Sequence, residues 1–255
     1  MANVTNDENI KQWSNAPREF IKVFGESGDF ARQFLLNSVI FKLLGDPRGK
    51  MVLDAGCGQG YLSRLLAKHG ALVTGIEPAE PFINYATEQE QLQPLSIKYI
   101  QADLSIFDMP LPAVDAVIAN MVLMDIPDYQ NAIRNCLRLL REGGSFVFSI
   151  SHPCFEGSSS DYKAKGHLEI KEYFQEYSIQ QRFGYAVHRP LSHYINTVIQ
   201  SGGRIVEVVE PQLDITHAQA ALEYERDLHV PSFIVLHAMR TYRVPHAHGV
   251  FELEL

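Results

Sequence analysis

The amino-acid sequence predicts an α/β fold in which helices cover both faces of a mostly parallel sheet. Two observations support this prediction. Short β-branched or apolar runs alternate with segments of helical periodicity, which is the pattern of β-α-β units. The 255 residues, 46% of them hydrophobic, are also enough for the packed core of one large domain or two small ones.

The predicted elements follow one another in a regular order. A helix begins after Gly28, where apolar residues recur at intervals of three and four, and it ends before Gly45-Asp46-Pro47. Five predicted strands then lead to Ser151: MVLDA, LVTGIE, IKYIQAD, VDAVIAN and SFVFSIS. The helices between them are YLSRLLAKHG, PFINYATEQEQ and DYQNAIRNCLRLL, the last stopped by Glu142-Gly143-Gly144. Helical connections between successive strands favour parallel pairing.

The alternation stops after His152, in a stretch rich in Ser, Gly, Tyr and charged residues. We interpret residues 153–189 as an insertion that forms a substrate cap. Helix and strand patterns resume with PLSHYINTVIQ, RIVEVVEP, a polar helix around HAQAALEYERDL, and SFIVLHAMR. Residues 1–27 are interpreted as an irregular segment that acts as a lid, and residues 241–255 as a C-terminal tail.

Composition excludes several classes of function. The net charge of −8 disfavours nucleic acid as a partner, because nucleic-acid binding draws on clustered Lys and Arg. The three cysteines are scattered and form no CxxC, so neither a disulfide framework nor a metal site is predicted. The first residues lack a signal pattern and no apolar run has membrane-spanning length, which predicts a cytoplasmic protein without membrane association.

The run VLDAGCGQG, at residues 52–60, places three glycines between a predicted strand and a predicted helix. Such a loop is either a plain turn or a cradle, in which Gly56, Gly58 and Gly60 let a ligand approach backbone N–H groups. A dinucleotide motif, GxGxxG, needs glycine at the position of Tyr61, so the spacing disfavours NAD. Asp54 beside the loop would repel a pyrophosphate, which favours a cationic or zwitterionic ligand.

Polar residues close the next three predicted strands at the same end of the sheet. Glu77 follows the second strand, where a carboxylate can accept both hydroxyls of a ribose. Asp103 ends the third strand and can accept a hydrogen bond from an adenine amino group, and Asn120 ends the fourth. Each residue alone is also explained as a helix cap or a solvated strand end. Together they predict a nucleoside-binding crevice.

The chain resembles the class I S-adenosylmethionine-dependent methyltransferases, specifically the branch that acts on small molecules. The resemblance lies in VLDAGCGQGYLSRLLAKHGALVTGIEP, IKYIQADLS, AVIANMVLMDI, LREGGSFVFSISHPCF and HRPLSHYINTVIQSGGRIVEVVEP. It implies that residues 28–240 form a methyltransferase domain with a Rossmann-like seven-stranded sheet, whose last strand, SFIVLHAMR, lies antiparallel beside the fifth. The DPPY/NPPY signature of many DNA and amide methyltransferases is replaced by NMVLM, which weakens an assignment to those substrates.

The resemblance also implies a site for S-adenosyl-L-methionine. The glycine loop would lie under the methionyl part, the acid after the second strand would hold the ribose, and the end of the third strand would frame the adenine. The implied cofactor-binding residues are Gly56, Cys57, Gly58, Glu77, Pro78, Asp103, Leu104, Asn120 and Met121. Arg32 is either a partner of the cofactor carboxylate or part of a solvated helix face.

Methyl transfer to oxygen favours a base, whereas an amine needs only to lose its proton before attack. His152, directly after the fifth strand, and His188, near the end of the insertion, are the candidate catalytic residues. A capping or exposed histidine is the competing interpretation of each. The aromatic residues of the insertion either line an acceptor pocket or form a small core of their own.

The expected function is S-adenosylmethionine-dependent methyl transfer to an O or N atom of a small-molecule acceptor. The alternative is a cofactor-binding enzyme of the same fold that catalyses a non-methylating reaction in a biosynthetic pathway. A nicotinamide oxidoreductase and a cofactor-binding subunit without chemistry are less favoured. The acceptor, the methylated atom and a homodimeric assembly are left open.

Overall fold

The computed structural model describes residues 4–108, 110–155 and 159–241, and its main feature is a seven-stranded sheet. The strands are β1 Met51–Ala55, β2 Leu72–Ile76, β3 Lys98–Ile100, β4 Val114–Asn120, β5 Leu140–Ser151, β6 Tyr177–Gln180, β7 Tyr185–His188, β8 Gly203–Val209 and β9 Phe233–Arg240. The order across the sheet is β3-β2-β1-β4-β5-β9-β8, while β6 and β7 pair separately. Strand β9 is antiparallel to both neighbours, and β1 to β5 are parallel. The predicted seven-stranded sheet, with its last strand antiparallel beside the fifth, is confirmed.

Helices cover both faces of this sheet, as predicted. They are α1 Asn6–Trp13, α2 Arg18–Lys22, α3 Asn37–Leu44, α4 Tyr61–Lys68, α5 Glu80–Leu92, α6 Tyr129–Leu139, α7 Ser159–Lys165, α8 Leu191–Gln200 and α9 Ile215–Ala220. A π-helical turn, Arg32–Leu36, precedes α3, and 3-10 turns span Leu123–Asp125 and Leu222–Leu228. Because successive strand residues point to opposite faces, Leu53 packs in one core with α6 and α8, whereas Val52 packs in another with α3 and α4.

The boundary between α6 and β5 differs from the prediction. The helix ends at Leu139 rather than at the later glycine pair, and β5 begins at Leu140. Leu140 is fully buried and pairs with Val114 of β4, after which the register shifts. Pairing with β4 satisfies backbone groups that the local sequence pattern assigns to a helix.

The insertion and the N-terminal segment are more regular than predicted. The insertion contains α7 and the β6–β7 hairpin, whose four-residue strands are too short to show a period. Helix α1 begins with a capping box, because the Thr5 hydroxyl accepts a hydrogen bond from the Glu8 N–H and the Glu8 carboxylate accepts one from the Thr5 N–H. The sequence Thr-Asn-Asp-Glu, at residues 5–8, is a local signal for this helix start.

The division into a lid, a methyltransferase domain with an inserted cap and a tail stays a prediction. Residues 242–255 of the predicted tail lie outside the described residues, as do residues 1–3 of the predicted lid. Within the described ranges, no helix is both long and apolar enough to cross a membrane.

Candidate active site

The glycine loop between β1 and α4 has a left-handed backbone, with φ angles of 71°, 53° and 83° at Gly56, Gly58 and Gly60. A Cβ atom at Gly56 would lie 2.3 Å from the Val122 side chain, and one at Gly60 would lie 2.4 Å from the Tyr99 hydroxyl. At Gly58 the nearest atom would be 3.9 Å away. Gly56 and Gly60 therefore also make room for neighbouring side chains, and ligand binding by the loop stays a prediction.

All nine residues predicted to bind the cofactor line one cavity, at the carboxyl ends of β1 to β4. The cavity contains about 970 Å³ of empty space, including the part open to solvent. Asn6, Ile10, Trp13 and Phe24 line it as well, so the N-terminal segment covers the cavity. Helix α1 and the loop after α2 supply these residues. Cofactor binding by the nine residues stays a prediction, but the fold places them on one surface.

Glu77 is held in place by the backbone at the end of β2. Its Oε2 accepts a hydrogen bond from the Gly58 N–H at 3.1 Å, and its Oε1 accepts one from the Ala79 N–H at 2.9 Å. Burial raises the pKa of its carboxyl to about 7, although these two hydrogen bonds oppose the rise. Each carboxylate oxygen keeps a second lone pair for a ligand.

Asp103 follows β3 and is fixed by two hydrogen bonds. Its Oδ1 accepts from the Ser105 N–H at 2.8 Å, and its Oδ2 accepts from the Asn6 side-chain amide at 3.2 Å. The neighbouring Leu104 is 2% exposed. The contact with Asn6 ties the N-terminal helix to the end of β3, which the sequence pattern did not reveal.

Asn120 at the end of β4 belongs to a buried hydrogen-bond network. Its amide nitrogen donates to the Tyr61 hydroxyl at 2.6 Å, and its Oδ1 accepts from the Ser149 hydroxyl at 2.6 Å. Met121 follows with a left-handed backbone, φ 58°, and its N–H donates to the Ser149 carbonyl and hydroxyl oxygens. An uncommon backbone conformation for a residue other than glycine thus lies in the wall of the cavity.

Two charged residues lie differently from their predicted positions. Asp54 is 2% exposed and does not line the cavity, because its carboxylate turns towards α4 and accepts a hydrogen bond from the Ser63 hydroxyl at 2.6 Å. Asp54 therefore does not face a ligand in the cavity, although the charge of its carboxylate contributes to the raised pKa of Glu77. Arg32 lines the cavity, where its guanidinium is paired with Asp29 and lies 4.9 Å from the Phe24 ring centroid. Arg32 therefore does not lie on a solvated helix face, which is the alternative interpretation of its sequence position.

Several further cavity residues were missed by sequence analysis, and Asp125 is the most informative. It ends the 3-10 turn after β4, and its Oδ1 accepts a hydrogen bond from the Gln181 amide at 3.2 Å. Burial raises the pKa of its carboxyl to about 7. The residue lies five positions beyond the strand end, so a search of strand ends does not find it. An acidic residue in the apolar run VLMDIP was the available signal.

His152 and His188 line a second cavity, and neither lines the first. The His152 Nε2 lies 2.9 Å from the Glu210 carboxylate, while its Nδ1 accepts a hydrogen bond from the Cys154 N–H. The His188 Nε2 lies 3.0 Å from the Tyr173 carbonyl oxygen. Neither histidine thus lines the cavity of the predicted cofactor residues, and their catalytic role stays a prediction.

Known proteins of similar sequence are methyltransferases. Residues 53–148 match the family model described as a methyltransferase domain. The ubiquinone biosynthesis O-methyltransferase of Coxiella burnetii is 34% identical over 145 residues, which are 56% of this chain and 61% of that relative. The chain thus spans about three fifths of the length of this curated relative.

Solved structures extend the similarity over more of the chain. An S-adenosylmethionine-dependent methyltransferase from Mesorhizobium loti is 25% identical, with a TM-score of 0.72 over 85% of this chain and 100% of that one. The [4+2]-cyclase SpnF is 18% identical and shares the fold, with a TM-score of 0.59 over 81% of this chain and 80% of that one. Residues 53–148 thus match a methyltransferase domain, and the resemblance to S-adenosylmethionine-dependent methyltransferases is confirmed.

Proposed function

We propose that this protein transfers a methyl group from S-adenosylmethionine to an oxygen or nitrogen atom of a small-molecule acceptor. The observation that carries the proposal is the cavity itself, which is lined by all nine residues chosen from the sequence for this cofactor. The methyltransferase domain at residues 53–148 supports the reaction. The O-methyltransferase name of the curated relatives favours an oxygen atom.

The chemistry of the cavity fits the cofactor. Three carboxylates line it, those of Glu77, Asp103 and Asp125, against the single guanidinium of Arg32 among the described lining residues. This excess of acidic groups attracts a cation such as a sulfonium. When bound, S-adenosylmethionine supplies a methyl group on a positively charged sulfur, which leaves as a neutral thioether.

Different lining residues bind different parts of the cofactor. Glu77 accepts the two ribose hydroxyls, Pro78, Asp103 and Leu104 frame the adenine, and Gly56 with Cys57 and Gly58 supports the methionyl chain. Asn120 and Met121 face the sulfonium, and Arg32 pairs with the carboxylate. Two observations support this assignment. All of these residues line the same cavity, and those that follow β1 to β4 succeed one another in the order of these strands across the sheet.

The acceptor binds between this cavity and the insertion. Gln181, in the turn between β6 and β7, reaches the cavity through its hydrogen bond to Asp125. The net charge of −8 favours a small-molecule acceptor over nucleic acid. A location in the reducing cytoplasm fits the free cysteines Cys57, Cys136 and Cys154. Light scattering of the purified protein tests whether it forms a homodimer.

Calorimetric titration with S-adenosylmethionine, its demethylated product S-adenosylhomocysteine and NAD tests the cofactor. We expect binding of the first two and no binding of NAD. The Glu77→Ala variant loses charge-assisted hydrogen bonds of about 1.5–3 kcal/mol each, so its affinity should fall at least about tenfold.

Glu80→Ala is the matched control. Glu80 lies three residues after Glu77, its side chain is exposed, and it does not line the cavity. Unchanged affinity in a folded Glu77→Ala variant would show that Glu77 holds the loop and not the ribose. Tight binding of NAD without binding of either sulfur compound would overturn the proposed function. A [4+2]-cyclase shares this fold, so product analysis by mass spectrometry must show the added methyl group.

A further inference from the structure

The Asp125 carboxylate is a charged group of the cavity with no assigned role in cofactor binding. Its Oδ1 accepts one hydrogen bond, from the neutral Gln181 amide. Its Oδ2 makes no hydrogen bond to any described residue, and no described cation lies within ion-pair distance of the carboxylate. A carboxylate in this state has a free oxygen to accept a proton from a ligand.

The turn that carries Asp125 is held by long-range contacts. The Arg189 guanidinium donates to the carbonyl oxygens of Ile126 and Pro127 at 3.0 and 2.9 Å. The Asn9 side-chain amide donates to the carbonyl oxygen of Asp125 at 2.6 Å. Both donors are nearly fully buried, with exposures of 2% and 1%. The carboxylate is therefore presented to the cavity on a fixed backbone, which is what a reacting group requires.

The charges that face Asp125 come from several elements. Burial is the main cause that raises the pKa of its carboxyl to about 7, and the Glu77 carboxylate across the cavity adds to the rise. Arg32 from the π-helical turn and Arg189 after β7 act in the opposite direction, as does the Gln181 hydrogen bond. A base works best when its pKa lies near the working pH.

We propose that Asp125 is the catalytic base, and that the acceptor is therefore a hydroxyl compound. The inference rests on the proposed function. In the step, the acceptor oxygen forms a bond to the methyl carbon, the carbon–sulfur bond breaks and its electron pair stays on sulfur. The hydroxyl proton passes to the Asp125 carboxylate, which later releases it to water.

The position of Asp125 distinguishes it from the two histidines. It lines the cavity that also contains Met121, where the methyl group is expected, whereas His152 and His188 line the other cavity. The Nδ1 of His152 already accepts a hydrogen bond from a backbone N–H. Proton transfer needs direct contact or one intervening water, so the group in the shared cavity is the better base.

The test compares the native protein with Asp125→Asn, which keeps the side-chain shape and an oxygen that can accept from Gln181. The acceptors are catechol and 4-nitrocatechol, whose hydroxyl is more acidic because the nitro group withdraws electrons. We expect the variant to bind S-adenosylhomocysteine within about threefold of the native affinity, as calorimetry measures. Its methyl transfer to catechol at neutral pH should fall by about 10²–10⁴-fold. With 4-nitrocatechol the loss should shrink at least tenfold, since an ionised acceptor needs no base.

Two further readouts separate a base from a structural role. At saturating cofactor, the native rate with catechol should rise with pH and level off above about 7, the pKa of Asp125, whereas the rate of the variant should keep rising towards the higher pKa of the acceptor hydroxyl. The absorbance of bound 4-nitrocatechol reports its ionisation in the complex with S-adenosylhomocysteine. The acceptor should ionise at lower pH in the variant, because the negative charge of Asp125, which disfavours a phenolate beside it, is removed.

Asp108→Asn is the control, because Asp108 is 91% exposed and pairs with Arg138 away from the cavity. Equal losses with both acceptors, or an unchanged pH profile in Asp125→Asn, would overturn the proposal. A changed pH profile in His152→Asn or His188→Asn, with no change in Asp125→Asn, would do the same. So would a native protein that binds S-adenosylhomocysteine but methylates no hydroxyl compound. Failure of the native protein to bind S-adenosylhomocysteine would instead overturn the proposed function.

Discussion

At the scale of single residues, burial sets the charge state of several carboxyl groups, and Asp54 is the simplest case. Its side chain is 2% exposed and its carboxylate accepts a hydrogen bond from Ser63. Burial raises the pKa of this carboxyl from an ordinary value of 3.8 to about 6. The folded state therefore binds this proton more tightly than the unfolded state. The resulting stability is fully present below pH 3.8 and is lost as the pH rises through about 6.

The Asp54→Asn variant should remove the pH-dependent contribution of this carboxyl group to stability. Ionised Asp54 costs the folded state about 3 kcal/mol near neutral pH, on the basis of about 1.4 kcal/mol for each unit of pKa difference. We expect the free energy of unfolding in urea to decline less steeply between about pH 4 and pH 7 in the variant than in the native protein. Parallel pH profiles for the two proteins would show that Asp54 is not the buried acid responsible.

The glycines of the loop act in different ways at this scale. Gly56→Ala places a Cβ atom 2.3 Å from Val122 in a left-handed backbone, whereas Gly58→Ala meets no atom closer than 3.9 Å. We expect Gly56→Ala to lose about 2–4 kcal/mol of stability, and Gly58→Ala about 1–2 kcal/mol. Gly58→Ala should instead weaken binding of S-adenosylhomocysteine in the folded protein.

Chemical denaturation and calorimetry measure the two effects separately. Gly166→Ala is a suitable reference, because Gly166 is also left-handed but has no atom near its Cβ position. If Gly58→Ala binds the product with native affinity, the space beside Gly58 is not used by the ligand.

At the scale of elements, one side chain joins three segments above the cavity. Asn9 of α1 donates to the carbonyl oxygens of Asp125 and Tyr185, and its Oδ1 accepts from the Tyr185 N–H. Gly184 is required beside this contact, because a Cβ there would lie 2.5 Å from the Trp13 indole nitrogen. Helix α1, the 3-10 turn and the β6–β7 hairpin are therefore fastened at one point.

The Asn9→Ala variant should release α1 from the sheet domain. The buried carbonyl and N–H groups left without partners cost about 1–3 kcal/mol each, which favours local opening of this helix. Hydrogen exchange should become at least about tenfold faster in residues 6–13 and in the hairpin, while β1 and β4 stay protected. Asn15→Ala, which removes an exposed contact with Lys11, should leave exchange unchanged. Unchanged exchange in Asn9→Ala would mean that apolar packing alone holds α1.

At the scale of the whole molecule, the sheet order explains why the cavity lies where it does. Strands β1 and β4 are neighbours, and the chain leaves β1 towards β2 on one side and β4 towards β5 on the other. The crevice outside their carboxyl ends is the usual ligand site of open α/β sheets. The N-terminal segment covers this crevice through Asn6 and Trp13, and Gln181 of the insertion contacts the lining residue Asp125.

The sequence by itself determined the order of the seven sheet strands and of the helices between the first five, and it located nine of the residues that line the cavity. Strand ends and glycine loops can be recognised locally, because hydrophobic periodicity and turn formation depend on residues that are close together in the sequence. Glu77, Asp103 and Asn120 were found in this way, since parallel strands place their carboxyl ends at one edge of the sheet. The bounds of β5 were less predictable, because pairing with β4 outweighed the local helical pattern.

Tertiary structure alone decided which charged side chains face the cavity. Asp54 and Glu77 flank the same loop, yet the first turns towards Ser63 while the second lines the cavity. Asp125 reaches the cavity because Asn9 and Arg189, 116 and 64 positions away in the chain, fasten the turn that carries it. His152, expected in the same place, lies in another cavity beside Glu210. Contacts between residues so distant in sequence leave no periodic signal, so only the folded chain shows which groups meet.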